Sequence, residues 1–177
     1  MEENLLWIEG AGYGNFSRSL ESPDLPLENF EKKNSFKVYV SDTGLLVRQY
    51  GKETSKAVLT ADPGYNLGPV FENVVAECLT KAGFVPRWYH KSGGSDRMEL
   101  DFVISLGGEA AVLEVKSGRS RGSTSLSKAL GVFGINNRLL FEEGNIRTDA
   151  DGVRHYPLFA SAFMYELDWS DRTCGGL

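Results

Sequence analysis

Asp101 stands thirteen residues ahead of Glu114-Val115-Lys116. Two acids and a lysine in that pattern suit chemistry on a phosphodiester: carboxylates hold a hard cation, and the ammonium steadies negative charge. Both groups fall on short β-like runs, Leu100-Asp101-Phe102-Val103-Ile104 and Ala110-Ala111-Val112-Leu113-Glu114-Val115-Lys116. Side chains alternate along a strand, so Glu114 and Lys116 share a face and Val115 points away. Gly107-Gly108 between the runs predicts a hairpin that brings Asp101 near Glu114. Burying such charges costs several kcal/mol unless they are paired or bound to an ion. A cation site is one reading. The other is a structural ion pair in which Lys116 neutralises both acids and no metal binds.

The remaining elements must position these groups. Asn66–Ala82 is the best helix, with Val70, Phe71, Val74, Val75, Cys78 and Leu79 at helical spacing and Gly83 closing it. Glu72 flanks that stripe. Ser123 is a candidate N-cap for a helix over Thr124–Phe133, and Asn137–Phe141 reads as a strand. An extended segment covers Phe84–His90, a polar turn Ser92–Asp96, and a second turn Asp149–Gly152. Toward the N-terminus, Leu5–Ile8 reads as a strand, Asn15–Asn34 as mostly irregular, and Lys37–Val40 as a strand entering a short helix from Leu45. Pro157–Leu167 reads as a final apolar helix.

At 177 residues, 41% hydrophobic and 24% charged, the chain has the make-up of one soluble globular domain with a proper core. No apolar run approaches the roughly 18–20 residues of a membrane span, and Met1-Glu2-Glu3-Asn4 lacks the basic start of a signal peptide. Cys78 and Cys174 have no metal-ligand spacing, so a reducing cytoplasm is the default expectation. The net charge of −5 argues against a wholly basic nucleic-acid surface. Arg87, Lys91, Arg97, Lys116, Arg119, Arg121 and Lys128 nonetheless lie close in sequence to the acid pair. They form either a phosphate track or an ordinary mixed-charge surface, and Arg119 and Arg121 are the candidate nucleic-acid contacts. Gly10-Ala11-Gly12-Tyr13-Gly14 lacks the βαβ frame of a dinucleotide loop, and no P-loop occurs. His90 and His155 read as surface or half-buried polar residues and Cys78 as core, while Phe84, Trp88 and Tyr89 are candidate base-stacking rings, with strand packing the alternative for Phe84 and Trp88.

Four ordered stretches carry a resemblance. They are Phe36-Lys37-Val38-Tyr39-Val40-Ser41-Asp42-Thr43-Gly44-Leu45-Leu46, Gly68-Pro69-Val70-Phe71-Glu72-Asn73-Val74-Val75, Glu99-Leu100-Asp101-Phe102-Val103-Ile104 and Leu113-Glu114-Val115-Lys116-Ser117-Gly118. In this order they resemble the PD-(D/E)xK nuclease superfamily, more narrowly the domain of unknown function C-terminal to many prokaryotic AAA-type ATPases. Tyr156-Pro157-Leu158-Phe159-Ala160 resembles that family's closing segment. The resemblance implies an α/β, restriction-endonuclease-like αβββαβ core with a mixed central sheet flanked by helices. It divides the chain into an N-terminal extension, 1–35, left from a larger protein, and a nuclease-like domain, 36–177. It implies Mg²⁺ or Mn²⁺ on Asp101, Glu114 and the Val115 carbonyl, Lys116 as a catalytic cation, and Glu72 as a further acid. It also implies N-terminal ATPase and winged-helix regions as partners, with DNA or RNA as substrate. A non-catalytic interaction or regulatory module of the ATPase is the alternative function.

Overall fold

The computed structural model describes residues 7–62, 64–118 and 123–164. Its centre is an eight-stranded mixed sheet in the order β2-β1-β3-β4-β5-β6-β8-β7. In chain order the strands are β1 (Gly14–Leu20), β2 (Glu31–Val40), β3 (Arg87–Lys91), β4 (Met98–Leu106), β5 (Glu109–Val115), β6 (Asn137–Glu142), β7 (Arg147–Thr148) and β8 (Arg154–Pro157). The helices are α1 (Thr43–Gln49), α2 (Lys52–Thr60), α3 (Gly68–Lys81) and α4 (Thr124–Phe133), with 3-10 turns at Leu27–Phe30 and Leu158–Phe163.

The middle of the sheet follows directly from the sequence pattern. Gly107 and Gly108 have φ of 60° and 81°, the positive values a two-residue hairpin turn requires, and they fold β4 back on β5. β5 then pairs parallel with β6, and α4 makes the crossover. Ser123 caps α4 as the sequence indicates, its hydroxyl accepting from the Leu126 N–H at 3.1 Å.

Two cores sandwich the sheet. Val75, Ala76 and Leu79 of α3 cover Tyr39, Phe102, Ile104, Ala111, Leu113 and Phe141 on one face. Leu126 and Ala129 of α4 cover Leu100, Val103, Val112 and Leu140 on the other. Burial of the fully covered Phe102, Leu113 and Phe141 is worth roughly 1.5–3 kcal/mol for each side chain. Among the described residues no helix is long and apolar enough to cross a membrane.

Three sequence expectations are corrected. Residues 7–10 are helical rather than the end of a strand. The stretch read as irregular, Asn15–Asn34, holds most of β1 and the first part of β2, so the division at residue 36 falls inside a strand of the main sheet. β1 was hidden because its inward positions include Ser17 and Ser19, both almost fully buried, so the expected apolar alternation is missing. The apolar C-terminal run begins as strand β8, paired parallel to β6, and continues as a 3-10 turn to Phe163. Pro157 has no N–H to donate and sits as the last strand residue. The rest of that expected helix, from residue 165, lies outside the described residues.

Candidate functional site

The acid pair sits where β4 and β5 leave the sheet's centre. Phe102 pairs with Leu113, so the next step of the ladder sets Asp101 across from Glu114. The Val115 N–H donates to Asp101 Oδ2 at 2.9 Å. The two acids are neighbours, close enough for Glu114 to act on the Asp101 carboxyl.

Glu114 follows plain alternation. Ala111, Leu113 and Val115 pack against the α3 core, which directs Glu114 and Lys116 to the α4 face. There Lys116 Nζ pairs with Glu114 Oε1, and the Ser123 hydroxyl donates to Glu114 Oε2. Glu114 is buried and both of its oxygens are engaged.

Asp101 does not follow alternation. Tyr89 pairs with Leu100 and Arg87 with Val103, so two steps along β3 match three along β4. The extra residue is a β-bulge. Leu100 and Val103 consequently share the α4 core although they stand three positions apart, while Phe102 lies in the α3 core. The bulge falls at Asp101, between Leu100 in one core and Phe102 in the other, a re-aiming that bulges commonly perform beside functional sites. Asp101 interacts with Glu114 and Lys116 as well as with Glu72 and Lys37 on the α3 side.

On the α3 side Asp101 meets a second acid. Glu72 of α3 accepts at Oε1 from Lys37 Nζ at 3.0 Å and from the Tyr39 hydroxyl at 2.5 Å. Lys37 also lies 3.5 Å from Glu99 and 5.0 Å from the centre of the Trp88 ring. Burial, then Glu72, lift the Tyr39 phenol far above its usual range, so it stays a donor. Burial works against the charge on Lys37, yet Glu72, Asp101 and Glu99 together hold its ammonium above the ordinary lysine range.

Asp101 is left short of positive charge. Burial is the largest influence, and Glu72 and Glu114 add to it; the Val115 N–H and Lys37 pull the other way and lose. The carboxyl is pushed up to about 7 from its ordinary 3.8. Lys116 does not relieve it directly, because its ion pair goes to Glu114. Burial disfavours the Lys116 charge, but Glu114 and then Asp101 hold it above the ordinary range.

The donors here are oxygen atoms only, which suits Mg²⁺ or Mn²⁺ in kind, and a carboxyl driven toward protonation by burial and then by neighbouring acids is one that a cation would favour. The set is nonetheless divided. Among the described residues no three His, Cys, Asp or Glu side chains are gathered closely enough to hold a metal ion. Asp101 and Glu114 are the adjacent pair that would hold one, with the Val115 carbonyl the third donor expected from sequence. Glu72 stands on the other side of Asp101 with Lys37 and Tyr39.

Among the described residues, Arg87, Lys91 and Lys128 of the basic set have partners within the protein. Arg87 is 5% exposed and pairs with Glu28 at 2.9 Å and Glu31 at 2.6 Å. Lys91 pairs with Asp96 at 2.6 Å, and Lys128 donates to the Ser95 and Arg97 carbonyls. Arg119 and Arg121 lie outside the described residues. Tyr89 is buried, Trp88 and Phe84 are half-buried, and His90 is exposed beside Trp88. His155 corrects its surface reading: it is fully buried, with Nδ1 2.7 Å from Glu142 and Nε2 3.2 Å from Asp149. Cys78 is half-buried on α3.

Sequence reasoning missed Lys37, Tyr39 and Ser123 as site residues. Lys37 and Tyr39 carried a legible signal, since their spacing of two on a strand gives them one face. Their target lay 35 and 33 residues away on another element.

The fold and site define a mixed α/β protein with a buried acid–lysine cluster at the end of a central hairpin. The model of the family described as a domain of unknown function (DUF4143) matches residues 67–158, just over half of the chain. The chain belongs to that family. The matched segment runs from the start of α3 through β8 and contains Glu72, Asp101, Glu114 and Lys116, while Lys37 and Tyr39 precede it. Neither the curated proteins nor the solved structures gave a match.

Proposed function

We propose that this chain is the nuclease-like domain of a prokaryotic AAA-type ATPase, acting in magnesium-dependent hydrolysis of phosphodiester bonds in nucleic acid, DNA foremost. The observation that carries the reading is Asp101, set at a bulge and lifted to about 7 by burial and by Glu72 and Glu114. A bound cation would favour the charged form of a carboxyl in that setting. The order α3-β3-β4-β5-α4-β6 also supports it, being the αβββαβ order expected of the PD-(D/E)xK superfamily.

Asp101 and Glu114 would hold Mg²⁺, with the Val115 carbonyl. The ion, when bound, supplies polarisation of the phosphodiester and a bound water of lowered pKa. Lys116 presents an ammonium beside Glu114 and would steady the negative charge that grows on the phosphoryl oxygens. Lys37 and Tyr39 hold Glu72 in place beside Asp101.

The test is nicking of supercoiled DNA, with single-stranded DNA and RNA in parallel, in Mg²⁺ and in the presence of the ATPase region. The wild type is expected to cleave, and Asp101→Ala and Glu114→Ala to lose at least about 100-fold while remaining folded. Cleavage unchanged in both variants would overturn the reading.

One set of observations favours a second reading, a non-catalytic docking module of the ATPase. Arg87, Lys91 and Lys128 are occupied by internal partners, and both Glu114 oxygens are engaged. Metal-independent binding to the ATPase region that survives both substitutions would favour it.

A further inference from the structure

The Ser123 hydroxyl has one hydrogen. Its oxygen accepts from the Leu126 N–H at 3.1 Å as the cap of α4, which orders the group. The hydrogen is then directed to Glu114 Oε2. Ser123 is 6% exposed, so water does not compete freely for either contact. Lys116 takes the other Glu114 oxygen. Glu114 is thereby fixed from two sides, by an ion pair on its own strand and by the first turn of the helix that follows.

We propose that Ser123 is a positioning residue for Glu114, joining the capping of α4 to the orientation of the carboxylate that would bind the cation. The proposal rests on the metal-site reading above for its functional consequence. The hydroxyl does two things at once, and the two can be separated by substitution. Glycine is an adequate N-cap but has no hydroxyl to give Glu114; threonine keeps both the cap and the donor. A merely structural Ser123 would matter only through α4, so glycine and threonine would behave alike at the metal site.

The experiment is a Mn²⁺ titration of the whole chain as wild type, Ser123→Gly and Ser123→Thr. The Lys116 ammonium signal is followed at fixed pH by ¹⁵N spectroscopy without metal, and helix content is checked by circular dichroism. Ser123→Gly is expected to weaken Mn²⁺ binding about 10-fold or more, the range typical of groups that orient metal ligands. It should also shift the Lys116 signal with α4 intact, and Ser123→Thr should restore both readings. Equal Mn²⁺ affinity in wild type and Ser123→Gly, or an unmoved Lys116 signal, would overturn the positioning role. If the wild type binds no Mn²⁺, the metal-site reading falls by itself, and the Lys116 signal alone still decides whether Ser123 orients Glu114.

Discussion

Two of the clusters of buried charge in this sheet treat their acids in opposite ways. At the β6–β8 edge, Glu142 is 3% exposed and lies 2.7 Å from both Arg147 and the His155 Nδ1. Asp149 meets the other ring nitrogen and accepts from the Val153 and Asp151 N–H groups. Burial alone would raise the Asp149 carboxyl, yet the Val153 N–H and His155 hold it below its ordinary range. At the hairpin end, burial also raises Asp101, but there one N–H and a shared lysine do not offset it. Asp149, the less buried of the two, is thus a carboxylate satisfied by the protein, whereas the more deeply buried Asp101 is a carboxyl near neutrality. Stability explains the first cluster; it does not explain the second, and that contrast is the argument for a cation.

The contrast breaks most visibly at the edge. Glu142→Ala leaves His155 and Arg147 without this carboxylate and is expected to cost about 3–5 kcal/mol, read as a Tm loss of roughly 10 °C. Mn²⁺ affinity of the folded variant should be unchanged. A small Tm loss would mean that the edge cluster is not the tightly paired one.

Asp101→Asn should do the reverse. The folded carboxyl lies at about 7 against an ordinary 3.8. A raised carboxyl pKa favours the folded state at low pH, and that stability is lost as pH rises through the folded value. Wild type should therefore lose stability between about pH 4 and 8, and the Asn variant should lack this slope. The expected gain for Asn is about 1–3 kcal/mol at pH 8 and close to none at pH 4, measured by denaturation at both. A variant less stable than wild type at pH 8 would make Asp101 a structural acid like Asp149.

Tyr39→Phe removes one of the two donors on Glu72 and should cost about 1–2 kcal/mol. Chemical denaturation would show it, and a neutral result would detach Glu72 from the cluster. The smallest effect is expected from Lys116→Met, where the lysine side chain is 42% exposed and its pair is correspondingly screened. A stability change under about 1 kcal/mol should accompany a loss of any cleavage. A large stability loss would instead favour the purely structural ion pair.

Much of the frame was legible because local chemistry decides it. Gly107-Gly108 made the hairpin, Ser123 ahead of Leu126 and Ala129 made a capped helix, and the stripe through Val75 and Leu79 made α3. The positions of Asp101 and Glu114 on facing strands followed from that hairpin. What stayed hidden depends on partners distant in sequence. The bulge at Asp101 exists only in the pairing with β3, and nothing within Leu100–Ile104 signals it. His155 looks like a surface residue between Arg154 and Tyr156, yet it is buried because Glu142 and Asp149 meet both ring nitrogens. β1 was missed because its buried face carries serines, and Lys37 because its partners sit on α3 and β4.

The central claim is that the hairpin cluster is short of a cation, and a Mn²⁺ titration of wild type against Asp101→Ala addresses it most directly. The account predicts saturable binding to the wild type that is lost in the folded variant. A folded wild type that binds no Mn²⁺, or a variant that binds it equally well, would contradict it.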